Sequence, residues 1–348
     1  MKAFHCQCGQ AVFFDSSHCI NCNSILGFDP VELEMRSLAQ HGGPFFSDAS
    51  GRQYRLCRNR IDYAVCNWLV PAGDDAQLCM ACEFNRMIVN LAEPVNVRRW
   101  QRFETAKKRL FFTLLRLGVP LANGFDDPRN GLLFDFIEDQ RSNPGQHPES
   151  FVNTGFHGGV ITINALEADD SMRERVKSEM NETYRTLLGH LRHESGHYYW
   201  PLLDADPDMR TQFSATFGDP ERDYQAALAT HYANGPSQGW RDHYISAYAS
   251  AHPSEDWAET WGHYLHIYDA LETAANSGAI DRSPEAVDID TRISIWQRLS
   301  VALNELNRSS GLADAYPFVL NSAVAAKFRF VDEVIRRLRQ RSPAAAGH

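Results

Sequence analysis

Apolar positions recur at three- and four-residue steps at several places along the chain, and each such stretch predicts a helix. Trp100, Phe103, Leu110, Leu114 and Leu117 fall on or near one face over about residues 97–117, while Arg98, Arg99, Arg102, Lys107, Lys108 and Arg109 occupy the other. A basic amphipathic helix can lie on a membrane or bind a partner; the plain reading is that its apolar face packs on a core. Tyr184, Leu187, Leu188 and Leu191 repeat the helical spacing and lead into His193. Two short apolar runs, Leu132–Ile137 and Gly159–Asn164, read instead as strands, the second from its β-branched content. Around the first of them, Asn123–Pro148 is rich in Gly, Pro, Asn and Asp and reads as loops. Pro253 followed by Ser254 predicts another helix start, with Ser254 as N-cap and Glu255 and Asp256 in the first turn, where the helix dipole favours carboxylates. Ala205–Gln238, broken by Pro and Gly, separates these two later helices and could wall a cleft. Phe318–Arg339 reads as one or two helices, and Ser342–His348 as a disordered tail. No internal repeat is evident.

The predicted helix after Leu191 carries His193-Glu194-Ser195-Gly196-His197, which matches H-E-x-x-H. Residues four apart on a helix share a face, so both imidazoles can reach one metal ion, with Glu194 placed to handle a water on it. With 14 histidines in the chain, an accidental match on a polar helix face competes with this reading. A catalytic zinc needs a third protein ligand and an open position. Glu255 and Glu259 are four apart and share a face among Trp257, Trp261 and Tyr264. One can bind zinc while the other hydrogen-bonds a ligating histidine. Asp256 points about 100° away and is expected to matter little. His190, His231, His252, His263 and His266 read as packing or supporting residues.

All eight cysteines lie in the first 82 residues. Cys6, Cys8, Cys19 and Cys22 form one set of four, and Cys57, Cys66, Cys79 and Cys82 another. C-x-C and C-x-x-C are metal-ligand spacings, and two four-thiolate zinc sites leave no cysteine over. The start Met1-Lys2-Ala3-Phe4-His5 lacks the apolar core of a signal peptide, so a cytoplasmic, reducing location is expected, which favours zinc over disulfides.

Composition narrows the partners. With 348 residues and 43% apolar content, the chain can bury one substantial core plus a small module. A net charge of -10 argues against a general nucleic-acid binder, and residues 1–95 hold seven Lys/Arg against ten Asp/Glu. Arg52, Arg55, Arg58 and Arg60 form a local basic patch that could touch phosphate or merely solvate a loop. No run approaches the roughly 18 apolar residues of a membrane span.

With these residues on the page the chain resembles the gluzincins, in which H-E-x-x-H is followed on a later helix by E-x-x-x-(D/E). There the first acid is the third zinc ligand and the second supports a zinc-bound histidine. The resemblance therefore implies Glu255 as ligand and Glu259 as supporter. Anthrax lethal factor and its bacterial relatives also place a tyrosine seven residues before the ligand glutamate; the corresponding Tyr248 would steady a developing oxyanion. The whole chain, with its Cys-rich start and the stretch H-E-S-G-H-Y-Y-W, looks like the bacterial zinc-binding metallopeptidases of unknown substrate.

The expectation is an α+β, mostly helical protein: a zinc-ribbon-like module over 1–95, a zincin-like metallopeptidase domain over 96–341 and the tail. It would hold one catalytic and two structural Zn2+ and hydrolyse a peptide or protein substrate, with Glu194 activating zinc-bound water. The strand Val160, Ile161, Thr162, Ile163 and Asn164 could pair with extended substrate, as sheet edges do. A protein partner could bind through the ribbon module. The rival reading is a zinc-ribbon binding or regulatory protein with an inert peptidase-like domain.

Overall fold

The helix expected near residue 97 is buried on more than one side. In a computed structural model, which describes residues 1–40, 43–145, 151–179 and 186–341, it runs over Pro94–Leu117. The 342–348 tail, Tyr184 and the end of the 123–148 loop region lie outside the described residues. The chain is a mixture of helix and sheet, 47% helical. It divides into two compact units: Lys2–Arg116 with Leu121–Arg173, and Met1 with Leu117–Pro120 and the described part of Glu174–His348. All but the last residue of the long helix belongs to the unit that carries the cysteines.

In that unit β1 (Phe4–His5) and β2 (Ala11–Val12) form a hairpin. β3 (Ile25–Asp29), β4 (Glu34–Gln40), β5 (Phe46–Ser47), β6 (Gln53–Leu56) and β7 (Leu69–Pro71) form an antiparallel sheet in sequence order, with α1 (Arg58–Tyr63) between its last two strands. After α2 (Met80–Glu83) come β8 (Asn85–Met87), α3 (Pro94–Leu117), β9 (Leu133–Ile137), β10 (Gly155–His157) and β11 (Val160–Asn164). The second sheet has the order β10-β11-β9-β8. Phe103 of α3 stacks on Phe136 of β9 with ring centroids 4.5 Å apart. Phe112, on another side of the helix, meets Phe14 at 5.4 Å and Phe28 at 5.9 Å.

Much of the basic face of α3 is engaged within the same unit. Arg99 pairs with Asp169 at 2.6 Å, and Arg109 with Asp15. Lys107 and Lys108 are buried rather than solvated. Lys107 Nζ lies 3.0 Å from Glu104, and Lys108 Nζ donates to the Val65 carbonyl at 3.2 Å. The patch of four arginines is likewise engaged: Arg52 pairs with Glu32, Arg58 with Asp62, Arg60 donates to two backbone carbonyls and Arg55 to one.

β11 lies between β10 and β9, antiparallel to one and parallel to the other. β9 pairs with all of Val160, Ile161, Thr162, Ile163 and Asn164, and β10 with the first three of them, so this strand is interior to the sheet rather than the edge an extended peptide would need. Among the described residues the edge strands of this sheet are β10 and β8.

The remaining elements are α4 (Asp170–Glu179), α5 (Leu187–Tyr199), α6 (Pro207–Phe217), α7 (Tyr224–Asn234), α8 (Pro253–Asn276), α9 (Ile289–Ser309) and α10 (Ser322–Arg341). The expected insert at 205–238 contains α6 and α7. Around α8, Trp257 packs against Phe217 and Phe330, each at 5.9 Å, and Trp200 stacks on Phe213 at 4.1 Å. Pro253 is the first residue of α8, and His252 is its N-cap. Ser254 is therefore not the cap: proline suits the first helical position, which leaves the capping place to the residue before it. Among the described residues no helix is long and apolar enough to cross a membrane.

Candidate active site and metal centres

Two glycines let α5 and α8 approach closely. A Cβ on Gly196 would come within 3.0 Å of the Ala258 Cα and 3.2 Å of Trp261, and one on Gly262 within 3.3 Å of the His193 backbone nitrogen. Indole groups of α8 then fasten onto α5. Trp257 Nε1 donates to the Gly196 carbonyl at 2.8 Å, and Trp261 Nε1 to Ser195 Oγ at 2.9 Å. Arg192 and Asp269 close the far end at 2.6 Å.

This crossing brings His193, His197 and Glu255 together, with one ligand atom of each within 4.8 Å of the others. His193 Nε2 lies 3.1 Å from Glu255 Oε2, and His197 Nε2 lies 3.5 Å from Glu255 Oε1. Glu259 contacts the other nitrogen of His193, Nδ1, at 2.8 Å. A carboxylate only accepts, so Nδ1 donates, and in the neutral ring the Nε2 lone pair faces Glu255. Glu255 Oε2 is buried with no hydrogen-bond partner. Two lone pairs at that distance repel unless a cation lies between them, and the imidazole, imidazole and carboxylate donors suit zinc. Burial opposes a second proton on His193, but Glu255 and Glu259 favour one and raise its pKa well above the ordinary value. Either a proton or a metal ion satisfies this contact. Burial pushes the Glu259 carboxyl up, yet the hydrogen bond from His193 and the charges around it hold it down to about 2.

Glu194 is buried beside the pair, with His190 Nε2 3.6 Å from its Oε1. Tyr248 sits in a short 3-10 turn, its ring 6.0 Å from the His193 ring. Burial first, then the charges of Glu255 and Glu194, raise its pKa, so the phenol keeps its proton. That turn is tied to the site through Ser246, whose hydroxyl donates to Glu259 Oε2 at 2.6 Å and accepts from Ala249 N at 3.1 Å. Sequence reading missed Ser246 and also Tyr224, whose hydroxyl donates to Glu255 Oε1 at 2.6 Å. Asp256, expected to matter little, is buried in an ion pair 2.6 Å from Lys327 of α10, because its 100° offset turns it into the helix packing rather than to water. His263 and His266 pack against Tyr316 at 5.5 and 5.4 Å instead of joining the ligand cluster. His231 lies against the Tyr248 ring at 5.9 Å.

The cysteines gather as two quartets, Cys6, Cys8, Cys19, Cys22 and Cys57, Cys66, Cys79, Cys82, with sulfurs within 4.8 Å in each. Neighbouring sulfurs are 3.5 Å apart for Cys6–Cys22 and for Cys66–Cys79, and 3.7 Å for Cys8–Cys19. A disulfide needs roughly 2.05 Å. Four thiolates at roughly 2.3 Å around a tetrahedral zinc lie roughly 3.8 Å apart, so the spacing fits the metal. The second quartet is wholly buried, whereas Cys8 and Cys22 of the first are exposed. Backbone N–H groups of Trp68 and Cys79 donate to Cys66 and Cys57 at 3.4 Å, as thiolates require. Burial works against charge on Lys108, but the thiols of the second quartet and Glu104 raise its pKa.

Residues 96–334 match the model of a family described as "Putative zinc-binding metallo-peptidase". The chain belongs to that family. A zinc-ribbon domain model matches residues 3–93 of this metallopeptidase-family chain, which spans both cysteine quartets. Uncharacterized proteins of Mycobacterium tuberculosis and Mycobacterium bovis are each 41% identical to it over 346 residues, covering 96% of this chain and 95% of theirs. No solved structure matches.

Proposed function

We propose that the chain is a zinc-dependent peptidase of the gluzincin kind, carrying one catalytic and two structural zinc ions. The observation that supports this best is the gathering of His193, His197 and Glu255, with one ligand atom of each within 4.8 Å of the others, beside the buried Glu194. His193, His197 and Glu255 hold the catalytic ion, and Glu259 fixes the tautomer and ring orientation of His193. Bound zinc supplies Lewis acidity, which lowers the pKa of water and polarises a carbonyl. Glu194 takes a proton from the attacking water and returns it to the amine nitrogen as the C–N bond breaks. Tyr248 donates its O–H to the oxyanion that develops on the carbonyl oxygen, a contribution on the order of 3 kcal/mol. The two cysteine quartets contribute folding free energy to the ribbon-bearing unit.

The test is cleavage of an unbiased peptide library by wild type and by Glu194→Gln. The amide keeps size and polarity but cannot take a proton at neutral pH. Cleavage that vanishes with a chelator, returns with zinc and is lost in the variant supports the reading. Equal cleavage by both proteins, or none by either, removes it and favours a regulatory zinc-ribbon protein with an inert peptidase-like domain.

A further inference from the structure

Tyr224 reaches the metal-site glutamate from a helix that no motif marks. The chain enters α7 through Asp223, whose side chain caps the helix by accepting from Ala226 N at 3.0 Å. The start of α7 is pinned to the start of α8 by one ring. His252 Nε2 donates to the Arg222 carbonyl at 2.9 Å, and its Nδ1 accepts from Ser254 N at 3.1 Å. The Tyr224 ring packs edge-on against the same imidazole at 5.1 Å. Its direction is thereby set, and its hydroxyl meets Glu255 Oε1 at 2.6 Å, the short distance of a hydrogen bond to a charged acceptor.

The two oxygens of Glu255 are thus unlike. Oε1 accepts from Tyr224 and lies 3.5 Å from His197 Nε2, while Oε2 is buried without a hydrogen-bond partner and lies closer, 3.1 Å, to His193 Nε2. We infer that Tyr224 is a positioning residue that holds Glu255 as a one-oxygen metal ligand. Its hydroxyl occupies Oε1 and leaves Oε2 for the ion. The inference rests on the proposed zinc site of His193, His197 and Glu255. Without the hydroxyl, Oε1 loses its close donor and is drawn to the cation as a second carboxylate ligand atom.

The experiment uses the full chain with zinc in the cysteine sites and cobalt(II) added to the third site. Tyr224→Phe keeps the ring and removes only the hydroxyl, on a residue that is 37% exposed, so the fold is retained and circular dichroism checks it. The expected result is a weaker and shifted cobalt d–d absorption, as a rise in coordination number produces, with metal affinity lowered about 10–100-fold. A purely structural role for Tyr224 would lower the melting temperature and leave the cobalt spectrum unchanged. That outcome overturns the inference but not the zinc site. Wild type that takes up no cobalt beyond the cysteine sites overturns both.

Discussion

The close crossing of α5 and α8 can be tested by adding a single methyl group. Gly196→Ala places a Cβ 3.0 Å from the Ala258 Cα and 3.2 Å from both Cβ and Cδ1 of Trp261. On an exposed helix the same change would stabilise by about 1 kcal/mol, since alanine is the better helix former. Here the nearest atom is backbone and moves only with α8. The Trp261 indole cannot swing aside without breaking its 2.9 Å hydrogen bond to Ser195. Overpacking of this kind costs about 1–3 kcal/mol. The net expectation is a loss of about 0–2 kcal/mol, or up to a few degrees in the melting temperature of the metal-free protein. The consequence for the metal is sharper. Relieving the clash separates the helices by a few tenths of an ångström, and ligand distances tolerate only about 0.2 Å. Zinc affinity at His193, His197 and Glu255 should therefore fall by on the order of 10-fold. Gly262→Ala, whose nearest contact is 3.3 Å, should do the same to a smaller degree. Thermal melts and competition with a zinc chelator measure both. A Gly196→Ala protein that melts higher than wild type and binds zinc as tightly would refute the argument that this crossing has no room.

Three further outcomes follow from the same structure. Asp256→Ala leaves the Lys327 ammonium with the His243 carbonyl and the face of the Tyr244 ring but no countercharge and should cost about 3–5 kcal/mol, partly recovered by adding Lys327→Met; a loss under about 1 kcal/mol in chemical denaturation would contradict the buried pair. A thiol-reactive mercurial should release zinc from the first quartet before the second, since Cys8 and Cys22 are exposed and Cys57, Cys66, Cys79 and Cys82 are not; simultaneous release in a colorimetric zinc assay would count against this. Burial pushes the Asp139 carboxyl up, but hydrogen bonds from Arg141, Val152 N and Asn164 lower it to about 2. A depressed folded pKa stabilises above the unfolded value of about 4 and is lost as pH falls through the folded one, so wild type should exceed Asp139→Asn in stability by on the order of 2 kcal/mol at neutral pH, with the gap closing between about pH 4 and pH 2.

Periodic features were legible in the sequence. Leu187 and Leu191 lie on α5, and the run Trp100, Phe103, Leu110, Leu114 lies on α3, as their spacing predicts. The boundary at residue 95 was drawn where the cysteines end and the helix begins. The two family models also part there, at 93 and 96, while the consecutive Leu110, Phe111 and Phe112 carried a separate signal about packing. Successive helical residues point about 100° apart, so three apolar neighbours require burial on more than one side. All three are fully buried, and α3 is core to the cysteine-bearing unit for that reason. Lys107 and Lys108 were misread with them, because a buried lysine looks like a solvated one until its partners, Glu104 for the first and the Val65 carbonyl for the second, are in place.

The supports of the candidate metal site were not legible, because they come from elsewhere in the chain. Tyr224 lies 31 residues from Glu255, Ser246 lies 13 from Glu259, and Lys327 lies 71 from Asp256. No local pattern links them. The start of α8 nevertheless carried more information than the placing of Ser254 as its cap. Pro253 at the first helical position makes His252 the cap, and an imidazole there has a second nitrogen to spend on another segment. Trp257 and Trp261 mark the helix as buried near its beginning, so its first-turn acids cannot all face water. A buried carboxylate requires a cation or hydrogen-bond donors. Glu255 and Asp256 next to each other in such a helix therefore imply partners in two directions. One direction holds the histidines and a phenol, and the other holds a lysine that belongs to a distant helix.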